Sequence, residues 1–159
     1  MVEPTSKPDG IAVERPGVDS SPVPIVESFL EFLRCGDLDE ALALLAVDVV
    51  YENVGLPTIH GRERVRRLFG RAYGVGGGFD VVIHTICADG PSVLTERTDF
   101  LTFRKLHMEF WVCGRFDVRD GQIVLWRDYF DFLAFNTALL RGLLGVGLPK
   151  LRAKLPVRA

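Results

Sequence analysis

The sequence predicts an α+β fold: a strongly curved mixed β-sheet with helices packed on its concave side, enclosing a deep apolar pocket. Three observations lead there. Helical spacing dominates the early chain, and four strand-like segments in hairpin order follow later, with one strand and one helix between. The turn signals Asp89-Gly90-Pro91 and Asp120-Gly121 make those late neighbours antiparallel. Polar groups also interrupt apolar strand faces in three separate places, which a sheet that is only structural would not repeat.

Composition sets the bounds. A chain of 159 residues suits one domain burying roughly two-thirds of its unfolded surface. With 19 basic and 21 acidic residues the net charge is -2, so no global field favours nucleic acid. Hydrophobic residues make up 48% and Phe alone numbers 11, enough for an apolar cavity as well as a core. Cys35, Cys87 and Cys113 have no CxxC spacing and read as core thiols in a reducing compartment. The N-terminus lacks an apolar signal core and no run of ~18 apolar residues is present. A soluble cytoplasmic protein without stable membrane insertion is expected.

Residues 1–20 contain Pro4, Pro8, Gly10, Pro16 and Gly17 among scattered charges and read as a disordered lead-in. The folded domain is expected over 21–142. Pro22 and Pro24 fit a first helical turn, with Ile25, Phe29, Phe32 and Leu33 at helical spacing until Gly36. Asp37 to Glu40 resembles a capping box for a short helix with Leu38, Ala41, Leu42 and Leu45 on one stripe. Val47–Asn53 is β-branched and reads as a strand whose one face carries Val47, Val49, Tyr51 and Asn53. After a loop at Gly55, Pro57 and Gly61 comes a helix with Val65, Leu68, Phe69 and Ala72 inward. Its arginines 62, 64, 66, 67 and 71 form a mostly solvated face.

Gly74 and Gly76–Gly78 read as a flexible connector. Strands are expected near 79–88, 92–103, 107–118 and 122–130. On the second, Val93, Thr95, Arg97, Asp99, Leu101 and Phe103 share a face. On the third, Met108, Phe110, Val112, Phe116 and Val118 oppose His107, Glu109, Arg115 and Asp117, so the sheet is partly wet on one side. The fourth is apolar on both faces apart from Asp128 and is expected to be central. Asp131 caps a last helix ending at Gly142. The basic tail 143–159, with Lys150, Arg152, Lys154 and Arg158, reads as packing over the pocket mouth or a subunit boundary, ahead of lying on a membrane surface.

Tyr51 and Asn53, Arg97 and Asp99, and Asp128 therefore converge if their faces all look into one cavity. The segments Tyr51-Glu52-Asn53 before a Leu-Pro loop, Arg97-Thr98-Asp99, and Trp126 to Asp131 resemble those of the limonene-1,2-epoxide hydrolase family. That family belongs to the cone-shaped nuclear-transport-factor-2-like superfamily. The resemblance spans about Ser21 to Asn136 and implies catalytic roles for Tyr51, Asn53, Arg97, Asp99 and Asp128. It also implies a homodimer that needs no metal or organic cofactor. The Pro-rich lead-in, the glycine-rich connector and the basic tail depart from the family pattern.

The residues suit that chemistry. Opening an epoxide with water needs a base at the nucleophile and an acid at the departing oxygen, which two carboxyls can share if one stays protonated. Spacing leaves open which Asp is which; the resemblance implies Asp128 as base, holding a water with Tyr51 and Asn53, and Asp99 as acid. Arg97 links them. One Arg between two carboxylates leaves a net negative charge that burial penalises, so the trio is expected to hold one proton at rest, on Asp99 as the loaded acid. No His lies near these carboxylates in sequence, which favours direct attack by water over an ester intermediate. The Phe residues, Trp111 and Trp126 favour a lipophilic terpene-, fatty-acid- or sterol-like epoxide. Two other occupants of such a fold compete: a ketosteroid-isomerase-like enzyme, which would not want a central Arg, and a non-enzymatic binder of small lipophilic ligands.

Overall fold

The computed structural model describes residues 21–148. Helices α1 (Val23–Cys35) and α2 (Leu38–Ala43) lead into strand β1 (Leu45–Asn53) and the two-residue β2 (Ile59–His60). Helix α3 (Arg62–Gly74) precedes β3 (Gly77–Asp89), β4 (Ser92–Phe103), β5 (Leu106–Arg119) and β6 (Gln122–Tyr129), and α4 (Phe132–Gly147) follows. The strands form one curved, unclosed sheet in the order β2-β1-β6-β5-β4-β3. Strand β6 is interior, as its two apolar faces require, and runs parallel to β1; the other pairings are antiparallel.

Aromatic side chains attach the helices to the inner face. Phe29 of α1 meets Trp126 edge-on at 4.9 Å and Phe116 at 6.2 Å. Phe69 of α3 lies 5.6 Å from Trp126 and 6.0 Å from Tyr51. The core continues through Val26, Leu30, Leu33, Leu42, Leu45, Val49 and Ile123, all essentially inaccessible to water. Phe135 of α4 reaches Phe110 and Phe130, so this helix borders the cavity at its other end.

Several expectations need correction. Val47 is 75% exposed, because an irregularity in the β1–β6 register between Leu45 and Val50 breaks strict alternation before Val49 restores it. Leu45 begins β1 instead of closing the stripe of α2. Asp37 makes no side-chain cap: its ψ of 66° is not extended, and the turn is closed by Asp37 N–H on Phe32 O and Leu38 N–H on Gly36 O. On α3 the inward stripe is Val65, Phe69 and Tyr73 at intervals of four, while Leu68 and Ala72 are exposed. The three cysteines are free, Cys35 and Cys87 exposed and Cys113 half-buried. Cys113 lies on the β5 face opposite Met108 and Val112, which is why the core excludes it.

His60, expected in a loop, lies on β2. The glycine connector is structured, since Gly76 N–H donates to Tyr73 O, Arg104 N–H donates to Gly76 O, and Gly77 and Gly78 already belong to β3. Helix α4 does not stop at Gly142 but runs to Gly147. Gly142 is there for close approach: a Cβ would come within 2.8 Å of His107 O. Asp131 caps α4 as expected, accepting from Leu133 N–H at 2.7 Å. The lead-in over 1–20 and the tail from 149 lie outside the described residues.

Candidate active site

Sheet register brings the five polar residues together. Asn53 stands beside Asp128 across the β1–β6 pair, and Tyr51 stands beside Trp126. Across the next pairing Asp128 faces Gly114, which in turn faces Thr95 on β4. Arg97 and Asp99 follow Thr95 on the same face at two-residue steps. Tyr51, Asn53, Asp99 and Asp128 line one cavity of about 210 Å³, otherwise walled by apolar side chains including Phe69, Phe79, Phe110 and Trp126.

Arg97 has no exposed surface and is the largest fully buried side chain. It forks onto Asp99, with Nε donating to Oδ1 at 2.8 Å and Nη2 to Oδ2 at 3.2 Å. Its Nη1 donates to Thr95 Oγ1 at 3.0 Å, and Nη2 lies 2.8 Å from Asp128 Oδ1. That last contact is an ion pair without hydrogen-bond alignment, so Asp128 Oδ1 is buried and accepts no hydrogen bond from the protein. Asp128 Oδ2 is held by Trp126 Nε1–H at 2.9 Å. The guanidinium also faces the Phe116 ring at 5.8 Å.

Burial raises the Asp99 carboxyl to about 6 in spite of Arg97, with Asp128 adding repulsion. Burial likewise raises Asp128, against the pull of Arg97 and Trp126. Burial opposes the charge on Arg97, but the two carboxylates outweigh it and hold the guanidinium cationic. Tyr51 stays a neutral phenol, raised first by burial and then by Asp128. Two acids of raised pKa around one cation titrate as a unit, and the proton they share belongs to the pair. The arrangement offers a proton donor and a proton acceptor linked by one cation in an apolar chamber. Among the described residues no three His, Cys, Asp or Glu converge where they could hold a metal ion.

Sequence reasoning overlooked three further members. Thr95 and Trp126 lie two residues before Arg97 and Asp128, each on its partner's face; Thr95 Oγ1 accepts from Arg97 Nη1 and Trp126 Nε1–H donates to Asp128, and each bond fixes that partner. Alternation alone could have found them. Gly114 is subtler: a Cβ there would run into Arg97 Nη1 and come within 2.6 Å of Thr95 Oγ1 and 3.1 Å of Asp128 Oδ1. The guanidinium reaches Asp128 only because the strand between them has no side chain at that position. A glycine inside a strand was the signal.

The chain matches the limonene-1,2-epoxide hydrolase catalytic domain over residues 20–141. It is 51% identical over 130 residues to the epoxide hydrolase EphG of Mycobacterium tuberculosis, covering 82% of this chain and 87% of that protein. A solved M. tuberculosis epoxide hydrolase of the same type superposes with a TM-score of 0.79 at 49% identity, over 84% of this chain and 95% of that one. At 18% identity, a nuclear-transport-factor-2-like protein of unknown function from Burkholderia pseudomallei superposes with a TM-score of 0.66, over 76% and 98% of the two chains, and shares the fold alone. The match over most of the folded chain and the identity to EphG establish that this chain belongs to the limonene-1,2-epoxide hydrolase family.

Proposed function

We propose that this protein adds water to a lipophilic epoxide, giving a vicinal diol in one step by general acid/base catalysis through Tyr51, Asn53, Arg97, Asp99 and Asp128. The observation that carries the reading is Asp128 Oδ1: a buried carboxylate oxygen that meets Arg97 Nη2 at 2.8 Å without an aligned hydrogen bond, in the cavity that Tyr51 and Asn53 also line. Water bound there, shared with Tyr51 and Asn53, loses a proton to Asp128 as it attacks the ring carbon. The carbon–oxygen bond of the ring breaks, and Asp99 protonates the departing oxygen. Arg97 stays cationic throughout and keeps the two carboxyls in register.

The fork from Arg97 favours an anionic Asp99 before substrate binds. The shared proton therefore rests toward Asp128 and passes to Asp99 when water and epoxide bind. Turnover itself restores the resting state, since Asp128 gains a proton from water as Asp99 gives one to the ring oxygen. A ketosteroid-isomerase-like reading finds no use for a guanidinium bridging two acids, and a binding module would bear the cost of three buried charges to no purpose. Incubation with apolar epoxides, followed by detection of the diol, tests the activity. Single turnover in heavy-oxygen water tests the direct attack: label appearing first in an enzyme carboxylate would replace the one-step scheme with an ester intermediate.

The same reading includes a homodimer. Helix α4 leaves Leu133, Leu140, Leu143 and Leu144 exposed, an apolar surface that a second copy would cover, and sedimentation gives the mass. No helix among the described residues is long and apolar enough to cross a membrane. A cytoplasmic setting suits the three free thiols.

A further inference from the structure

Strand β1 ends in a tight turn that delivers two side chains to the active cavity, Asn53 at its start and Leu56 at its end. Leu56 N–H donates to Asn53 O at 2.8 Å, which closes the turn over four residues. Its third residue, Gly55, has a φ of 93°, a conformation that a side chain would strain. Space requires glycine there as well. A Cβ at this position would come within 2.5 Å of Phe132 Cε2 and 2.9 Å of Cζ, so the Phe132 ring lies directly on the bare backbone of the turn.

On its other side the turn is tied to β6, where Val54 N–H donates to Asp128 O at 2.9 Å. One tie does not stop a turn from pivoting; the ring on Gly55 supplies the second. Phe132 is itself fixed, as the first residue of α4 after the Asp131 cap, with its ring 5.0 Å from that of Phe130. Phe130 and Phe135 line the cavity, whereas Phe132 does not. At 39% exposed it is no core residue either. Any effect of Phe132 on the reaction has to pass through what its ring touches.

We propose that Phe132 is a positioning residue: its ring clamps the turn at Gly55 and so holds Asn53 on the attacking water and Leu56 against the substrate. The proposal rests on the hydrolase reading above, in which Asn53 shares that water with Asp128. An unclamped turn carries the same groups but is found less often with Asn53 in the geometry that attack requires. The acid pair keeps its own contacts, since Arg97, Asp99 and Asp128 bond without help from Phe132.

The test uses the full chain with cyclohexene oxide. Phe132→Ala should lower kcat about tenfold with both limbs of the kcat–pH profile in place, because protons still move through the same two acids. Phe132→Leu, which keeps an apolar side chain over Gly55, should return kcat to within about threefold of the wild type. In an Asn53→Ala background the Phe132→Ala change should cost less than about twofold, since the group it positions is already gone. A loss of about tenfold in that background, or limbs that move, would overturn the assignment.

Amide hydrogen exchange reads the clamp without turnover. Phe132→Ala should speed exchange at Val54 and Leu56 about tenfold or more, and leave Phe135 N–H, bonded to Asp131 O in the first turn of α4, within about twofold. Equal acceleration at Phe135 would mean that the ring only anchors the helix, and no acceleration at Val54 and Leu56 would mean that it clamps nothing; either overturns the proposal. The two readings fail separately. Wild-type protein that opens no epoxide, while Phe132→Ala loosens Val54 and Leu56, keeps the clamp and ends the hydrolase proposal. Hydrolysis that persists with both amides unmoved keeps the hydrolase and ends the clamp.

Discussion

Two strands of this sheet carry the same short pattern and put it to opposite uses. Arg97-Thr98-Asp99 on β4 and Arg115-Phe116-Asp117 on β5 both place a guanidinium two residues before a carboxylate, and both close the same fork. In the first the Arg and Asp side chains are 0% and 8% exposed, in the second 41% and 25%. Slight burial of Asp117 would raise its carboxyl, but hydrogen bonds from Arg115 and Ser92 outweigh it and hold the group below its usual range. Asp99 with a matching fork is raised to about 6, because full burial and Asp128 outweigh the same partner. Chemistry at this position is decided by which face of the sheet the pair occupies, since the pairwise contact is nearly identical. A third group inside, Asp128, turns an ion pair into a proton store.

The largest expected effect sharpens that contrast. Asp99→Asn and Asp128→Asn should each lower kcat by ~10²–10⁴-fold, the usual worth of a positioned acid or base. Asp117→Asn should leave kcat within about twofold, since its carboxylate faces away from the cavity. Steady-state turnover of one apolar epoxide by the three variants settles the point. An active Asp128→Asn enzyme would sink the assignment.

Gly114 comes next. Alanine there meets the guanidinium, Thr95 and Asp128 together, so either Arg97 leaves Asp128 or the strand shifts. Overpacking of this kind costs about 1–3 kcal/mol. Thermal unfolding should show that loss, and the folded fraction should turn over roughly a hundredfold more slowly as the link between the acids breaks. No glycine is needed at the outer fork, where the guanidinium of Arg115 lies partly in solvent.

These residues also show how far the sequence could be read. Hairpin signals, the interior position of β6 and the five polar residues were legible, because alternation and turn chemistry are local rules. The same rules misplaced Val47, where a register irregularity intervened, and made core residues of cysteines that face outward. The link from Arg97 to Asp128 was expected from the family resemblance and not from spacing, and the role of Gly114 was not legible, since it depends on which strands end up adjacent. The fork on Asp99 rather than Asp128 was likewise invisible. Chain order says nothing about which of two carboxyls an arginine will straddle.

Trp126→Phe tests a smaller part of the inner site. It keeps the aromatic contacts with Tyr51 and Phe29 but removes the Nε1–H donor to Asp128 Oδ2. A hydrogen bond to a charged group is worth ~1.5–3 kcal/mol, and this one favours the anion. Without it Asp128 binds its proton more tightly and less base is present at a given pH. The acid limb of the kcat–pH profile should therefore move to higher pH, with kcat at the optimum falling about tenfold or less. A unmoved limb would mean that Asp128 is not the titrating base.

The smallest effects are on stability, and there the two forks have opposite signs. Asp99 is raised when folded, so the native state holds a proton that the unfolded chain has released; stability should fall as pH rises from about 4 through about 6. The slope belongs to the coupled pair and amounts to at most about 3 kcal/mol. Asp99→Asn should flatten that window, because Arg97 and Asp128 then form a neutral pair. Asp117 is lowered when folded, so its contribution is present above its unfolded value and is lost as pH falls below about 4. Arg115→Ala should soften only that acid limb and leave the melting temperature at neutral pH almost unchanged, as befits an exposed, screened pair. Melting curves taken between pH 3 and 8, a range chosen to cover roughly both windows, read the two slopes separately. If Arg115→Ala altered the upper window, or Asp99→Asn the lower, the two forks would be electrostatically coupled through the sheet, and burial alone would no longer account for their difference.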